Sequence, residues 1–189
     1  MPFRPLLGIV VVAAITSACG GSSGEATRHI SGSISGLTGT GLRLYALGEI
    51  ISVAPNASTF AFATPLPLGT FYDLSVAADP TGQTCTLKGG TGTLTTAATN
   101  IQVQCANLYS VGGTIAGLAG SGLVLINDRD MVYVPAGASS FQLSRQVAAG
   151  QPYAVTVHAQ PAGQVCTVAD GAGTVVAANI GSVRVSCSN

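Results

Sequence analysis

Pro80-Thr81-Gly82-Gln83-Thr84-Cys85-Thr86 and Pro161-Ala162-Gly163-Gln164-Val165-Cys166-Thr167 are one heptapeptide pattern written twice. Carried outward at the offset that aligns them, Ile34-Ser35-Gly36-Leu37 falls on Ile115-Ala116-Gly117-Leu118 and Gly41-Leu42 on Gly122-Leu123. Phe60 falls on Phe141, Gly69 on Gly150 and Tyr72 on Tyr153. Gly90, Gly92 and Thr93 meet Gly171, Gly173 and Thr174, and after a single insertion Ile101, Val103 and Cys105 meet Val183, Val185 and Cys187. One register kept over so much chain is an internal duplication. The copies run over residues 29–107 and 108–189.

Within each copy apolar residues alternate with polar ones, the period of a strand with one buried face. Ile51 and Val53 match Val132 and Val134, Phe60 and Phe62 match Phe141 and Leu143, and Tyr72, Leu74 and Val76 match Tyr153, Val155 and Val157. Turns bearing Gly, Pro or Asn separate these runs, so each copy reads as an all-β sandwich of about seven strands. Composition agrees: 25 Gly, no Trp and 7% charged residues suit short strands and turns, and Glu and Lys are scarce. In the first copy Pro65-Leu66-Pro67 predicts an edge or interrupted strand.

Of the five cysteines, Cys85 shares the phase of Leu87, and Cys105 that of Ile101 and Val103, which turns both toward the core. Pairing Cys85 with Cys105 and Cys166 with Cys187 closes one short loop per copy, each contributing about 3 kcal/mol by loop entropy. A sandwich of this size buries under about 70% of its unfolded surface and gains from such a bridge. Free thiols or zinc ligands are the alternatives, but the close C-x-x-C or Cys/His pairs of zinc sites are missing from the sequence.

The odd cysteine is Cys19. Arg4 precedes an apolar run from Leu6 to Ile15, which is too short to span a bilayer and is followed by Thr16-Ser17-Ala18-Cys19. This resembles the bacterial lipobox, although Thr16 stands where Leu is usual. The resemblance implies a signal peptide over residues 1–18 and fatty acylation (diacylglyceryl plus an amide-linked chain such as palmitate) at Cys19. Gly20 after it implies the outer membrane. Cleavage after Ala18 with Cys19 left as a free thiol is the other reading. Residues 19–28 would form a Gly/Ser-rich tether reaching about 30 Å.

Gly-Leu-x-Gly-x-Gly-Leu-x-Leu (Gly36 to Leu44, Gly117 to Leu125), Gly-Gln-x-Cys-Thr (from Gly82 and Gly163) and Val-x-Val-x-Cys (Val183 to Cys187, with Ile101 in the first place of the copy ending at Cys105) resemble the tandem immunoglobulin-like or prealbumin-like repeats of bacterial surface lipoproteins. That resemblance implies two β-sandwich domains at the cell envelope. It brings neither catalytic residues nor a cofactor.

The residues themselves point the same way. The two histidines, His29 and His158, have no counterparts in the other copy, and no nucleophile elbow or phosphate loop is present. Seven basic residues balance seven acidic ones and the basic ones stand singly, which argues against nucleic acid and anionic lipid surfaces as partners. Asn127-Asp128-Arg129-Asp130 is the densest polar cluster. The first copy has Ala46-Leu47-Gly48-Glu49 there, so the cluster reads as peculiar to the second copy. A solvated turn is its simplest account. The alternative is that its two carboxylates, two residues apart, help bind Ca²⁺, which takes about six to eight oxygens. Tyr45, Tyr109 and Tyr133 read as surface rings. The sequence thus predicts a non-enzymatic envelope module that holds structure or binds a protein partner. The second expectation is a carbohydrate or small-ligand site built on Asn127, Asp128, Asp130 and Tyr133.

Overall fold

The computed structural model describes residues 25–96 and 99–189. The expected signal peptide, Cys19 and the first part of the tether lie outside the described residues. All regular structure among the described residues is strand. The first repeat holds β1 (Thr27–Arg28), β2 (Ser31–Ser35), β3 (Arg43–Ala46), β4 (Glu49–Ser52), β5 (Thr59–Ala61), β6 (Leu66–Pro67), β7 (Phe71–Ala78), β8 (Gln83–Lys88) and β9 (Thr91–Thr93), and is closed by β10 (Ile101–Tyr109). The second holds β11 (Val111–Ala116), β12 (Leu123–Asn127), β13 (Asp130–Val134), β14 (Ser140–Gln142), β15 (Val147–Ala148), β16 (Pro152–Ala154), β17 (Thr156–Ala159), β18 (Val165–Ala169), β19 (Ala172–Thr174) and β20 (Ile180–Ser188). The number exceeds seven per repeat because very short strands such as β1, β6 and β9 add to it.

One sheet of the first repeat has the order β8-β10-β2-β5, and the other β4-β3-β7-β9. The second repeat repeats this as β18-β20-β11-β14 facing β13-β12-β17, with β16 paired to β19. β2 runs parallel to β10 and β11 parallel to β20, whereas the other pairs are antiparallel. Each repeat is therefore a two-layer all-β sandwich of immunoglobulin-like kind.

Alternation decides which side chains enter. Along β10, Ile101, Val103 and Cys105 are buried while Gln102 and Gln104 are exposed. These three meet Leu44, Tyr72 and Leu74 of the opposite sheet in the first core, and Val183, Val185, Leu125 and Tyr153 do the same in the second. The two clusters of buried residues share no member. Burying each such aliphatic or aromatic side chain contributes roughly 1.5–3 kcal/mol. The recurring Gly36 and Gly117 have φ of 74° and 76°, and a Cβ there would collide with the carbonyl oxygen of Cys105 or Cys187. Only glycine meets both demands.

Cys85–Cys105 and Cys166–Cys187 are disulfides, as expected. Each joins residues directly opposite in register on neighbouring strands, β8 with β10 and β18 with β20. The bridge thus lies within one sheet, whereas in antibody domains it crosses between the two. It fastens an edge strand to the strand that runs through the middle of its sheet.

Thr27 and Arg28, read from sequence as the end of the tether, form β1 and pair with Leu66 and Pro67 of β6. Pro67 is tolerated because β6 has no second neighbour among the described residues. At the offset of the duplication, Thr27–Arg28 becomes Leu108–Tyr109, and these pair with Val147 and Ala148 of β15. Leu108 and Tyr109 are the end of β10. One unbroken strand accordingly finishes the first repeat and supplies the opening strand of the second.

Candidate interaction surface

The Asn127–Asp130 segment forms a two-residue turn between β12 and β13, with Asp128 at φ 54°. Two of its polar side chains serve the backbone. Asn127 Oδ1 accepts the amide of Ala154 at 2.7 Å, and Asp130, which is buried, accepts the amide of Arg145 at 2.8 Å through Oδ2. In the first repeat Glu49 does the same work: its two carboxylate oxygens accept the amides of Ala63 and Thr64 at 2.9 and 3.2 Å. Glu49 is the counterpart of Asp130 in the duplication, and Thr64 that of Arg145. Asp130 therefore belongs to the framework of the repeat, which corrects the expectation for that one residue; Asn127, Asp128 and Arg129 stand where the first copy has Ala46, Leu47 and Gly48. The Ala63 amide, joined by bonds from Thr64 and the nearby charge of His29, holds the Glu49 carboxyl below its ordinary pKa.

The glutamine of the Gly-Gln-x-Cys motif is a second clamp. Gln83 Oε1 accepts the amides of Thr38 and Gly39 at 2.9 and 2.7 Å, and its Nε2 donates to the Gly36 carbonyl at 2.7 Å. Gln164 repeats all three contacts with Ala119, Gly120 and Gly117. A glutamine can place an acceptor and a donor on one loop at once, which explains why this residue type recurs. Gln83 makes one contact more, to Asn107 Oδ1 at 2.8 Å, beside the join.

The remaining expected residues scatter. His158 is exposed on β17, and His29 is exposed with Nδ1 3.0 Å from the Phe62 carbonyl oxygen. Tyr109 is half-buried against the second core, not a surface ring. Tyr45 and Tyr133 do lie outside, Tyr133 at 76% exposure. Among the described residues, no three of His, Cys, Asp and Glu converge as a metal site would require. A hollow on the outer face of the first repeat is lined by Ser33, Ser35, Thr86, Lys88, Gln102 and Gln104. None of its side chains is an aromatic ring on which a sugar could stack.

Apolar side chains gather instead on the outer faces of the two equivalent hairpins, β3–β4 and β12–β13. Tyr45, Leu47 and Ile50 are exposed on the first and Met131 and Tyr133 on the second. Tyr45 stands opposite Ile50, and Ile126 opposite Met131, at the same register of the two repeats. Alternation alone does not reveal this outer pair, because the signal it carries is read for the inner face.

No protein-family model matches the chain, and no curated protein matches it. Among solved structures it is similar to the major pilin protein T3.2 of Streptococcus pyogenes serotype GAS13637, at 13% identity and a TM-score of 0.25, over 86% of this chain and 96% of that one. A superposition that loose leaves the reading to rest on the chain's own residues.

Proposed function

We propose that the protein is a non-enzymatic, lipid-anchored module of the bacterial outer membrane that holds structure or docks a protein partner at the cell envelope. The observation that carries this reading is β10, which passes without interruption from the core of the first repeat into the sheet of the second. A shared strand joins two small sandwiches at a fixed angle, as a spacer or docking unit requires. One disulfide per repeat suits an oxidising compartment outside the cytoplasm. The polar side chains that could otherwise form a site, Asn127, Asp130, Gln83 and Gln164, are engaged with backbone. That favours a framework role over the ligand-loop reading.

Crosslinking in living cells with a C-terminally tagged chain, followed by identification of what is trapped, tests the partner. A recurrent envelope protein is the expected result. Glycan retained on the purified chain, with no protein trapped, would overturn the reading. Recovery of a Cys19→Ser variant in the membrane fraction at the level of the unaltered chain would remove the anchor alone.

A further inference from the structure

β13 is an edge strand: β12 lies on one side of it and no strand on the other among the described residues. Natural sheets blunt such edges with Lys, Pro, bulges or cover. From Asp130 to Val134 the strand reads Asp-Met-Val-Tyr-Val, with no Lys, Arg or Pro, and its register with β12 is unbroken. Its one charged group, the Asp130 carboxylate, is engaged with the Arg145 amide.

The parity of the backbone decides what this edge can take. A two-residue turn makes Asn127 and Asp130 a hydrogen-bonded pair, so Asp130, Val132 and Val134 direct their N–H and C=O groups to β12. The first repeat confirms the phase: the amide of Val53, the counterpart of Val134, donates to the Leu42 carbonyl at 2.9 Å. Met131 and Tyr133 therefore present their N–H and C=O groups outward. Both side chains are exposed on the outer face, at 41% and 76%.

We infer that this edge pairs with the same edge of a second copy of the chain, antiparallel, about a two-fold axis at Val132. In that register Met131 of each copy faces Tyr133 of the other as a hydrogen-bonded pair. The two Val132 residues meet on the axis as the non-bonded pair. All four outward amides and carbonyls of the two strands are then satisfied, and each Tyr133 ring lies against a Met131 thioether, a favourable contact. No like charges are brought together, and the chain's formal net charge of zero opposes association of copies only weakly.

The first repeat provides the contrast. At the positions of Val124 and Tyr133 it has Arg43 and Ser52, which pair with one another in its own hairpin. Self-pairing of β4 about Ile51 would set Ile50 against Ser52 and bring an Arg43 beside each. Homotypic pairing is therefore a property of the second repeat. It gives the interaction-module reading a partner, yet it does not depend on the anchor or on any other envelope protein.

The test is sedimentation velocity of the full chain carrying Cys19→Ser, so that acyl chains do not drive association, from about 1 µM to 1 mM, the range in which interfaces below about 1,200 Å² associate. The expected result is a reversible monomer–dimer equilibrium. Tyr133→Ser, which installs the residue the first repeat carries there, weakens it at least tenfold with unchanged circular dichroism. Ser52→Lys leaves it intact. Amide exchange at Met131 and Tyr133 slows as concentration rises. A chain monomeric throughout, or dimerisation as strong in Tyr133→Ser as in the unaltered chain, overturns the inference. Failure here with an envelope protein still trapped in cells would leave the proposed function standing.

Discussion

The side-chain amide of Gln83 donates to Oδ1 of Asn107 at 2.8 Å, tying the loop clamp of the first repeat to that repeat's last residue, next to the join. Gln83 is buried, whereas its counterpart Gln164 is only half-buried and makes no such fourth contact among the described residues. Replacing Gln83 by Ala strands the Thr38 and Gly39 amides and the Gly36 carbonyl, at about 1–3 kcal/mol for each group that water fails to reach. We expect Gln83→Ala to lower the melting temperature of the first repeat by more than Gln164→Ala lowers that of the second. Calorimetry of the two variants measures the difference; equal shifts would mean that the join adds nothing to the clamp.

Removal of one bridge is local in its effect. Cys85→Ser with Cys105→Ser should destabilise the first repeat by about 3 kcal/mol, the value of closing a loop with a sequence separation of 20. Because the two cores share no residue, the second repeat should keep its own transition. Amide exchange resolves the two, with β8 the first strand to lose protection in the variant. Equal loss of protection in β18 would show the repeats to unfold as one unit.

Acid should act on Glu49. Its folded pKa is lowered, so its contribution to stability is complete above the ordinary glutamate range and is lost as pH falls through the lower folded value. The carboxylate faces the Ala63 and Thr64 amides and the charge of His29. The exchange rates of those two amides, measured across the acid range, should rise relative to neighbouring amides as Glu49 protonates. Glu49→Gln should abolish that pH dependence. A dependence that persists in the variant would assign it to another group.

On the proposed reading the shared strand stiffens the join. The Leu108 amide donates to the Gly82 carbonyl at 2.9 Å, and the Asn107 carbonyl accepts the Ala149 amide at 2.8 Å. Leu108→Pro removes the first of these bonds and breaks the run of β10. Each repeat should still fold, while small-angle scattering should show a broader spread of interdomain distances than in the unaltered chain. An unchanged profile would mean that contacts away from β10 fix the angle.

Much of the fold was legible because the chain contains its own alignment. The heptapeptides around Cys85 and Cys166 set the offset, and alternation then placed Ile101, Val103 and Phe60 in the core, where they lie. Pairing of the cysteines followed from phase and count. What was hidden was long-range. Gln83 was visible as a recurring letter, but its partners Thr38 and Gly39 lie far upstream in the chain, and no local pattern joins them. Glu49 and Asp130 escaped because a change of side-chain length masks a shared task of accepting backbone amides. Thr27 and Arg28 resembled tether because a two-residue strand has no period to read, and only the pairing of Leu108–Tyr109 with β15 shows what they are. Tyr109, a polar-tipped ring beside a boundary, reads as exposed until that strand turns it against the second core.

In each repeat the first long strand and the last lie side by side and run the same way, β2 with β10 through four aligned pairs and β11 with β20 through five, with a register shift after Val111. Tension that enters a repeat through the start of the one and leaves through the end of the other slides the two strands lengthwise. The hydrogen bonds between them lie across that direction and share the load, so they yield together and not one after another. A repeat loaded in this way should resist stretching better than one whose strands peel apart one bond at a time. Should it give way, the Cys85–Cys105 bridge keeps the loop between those residues from paying out. Placed between a fixed point and a moving one, the chain would behave as a short, stiff strap.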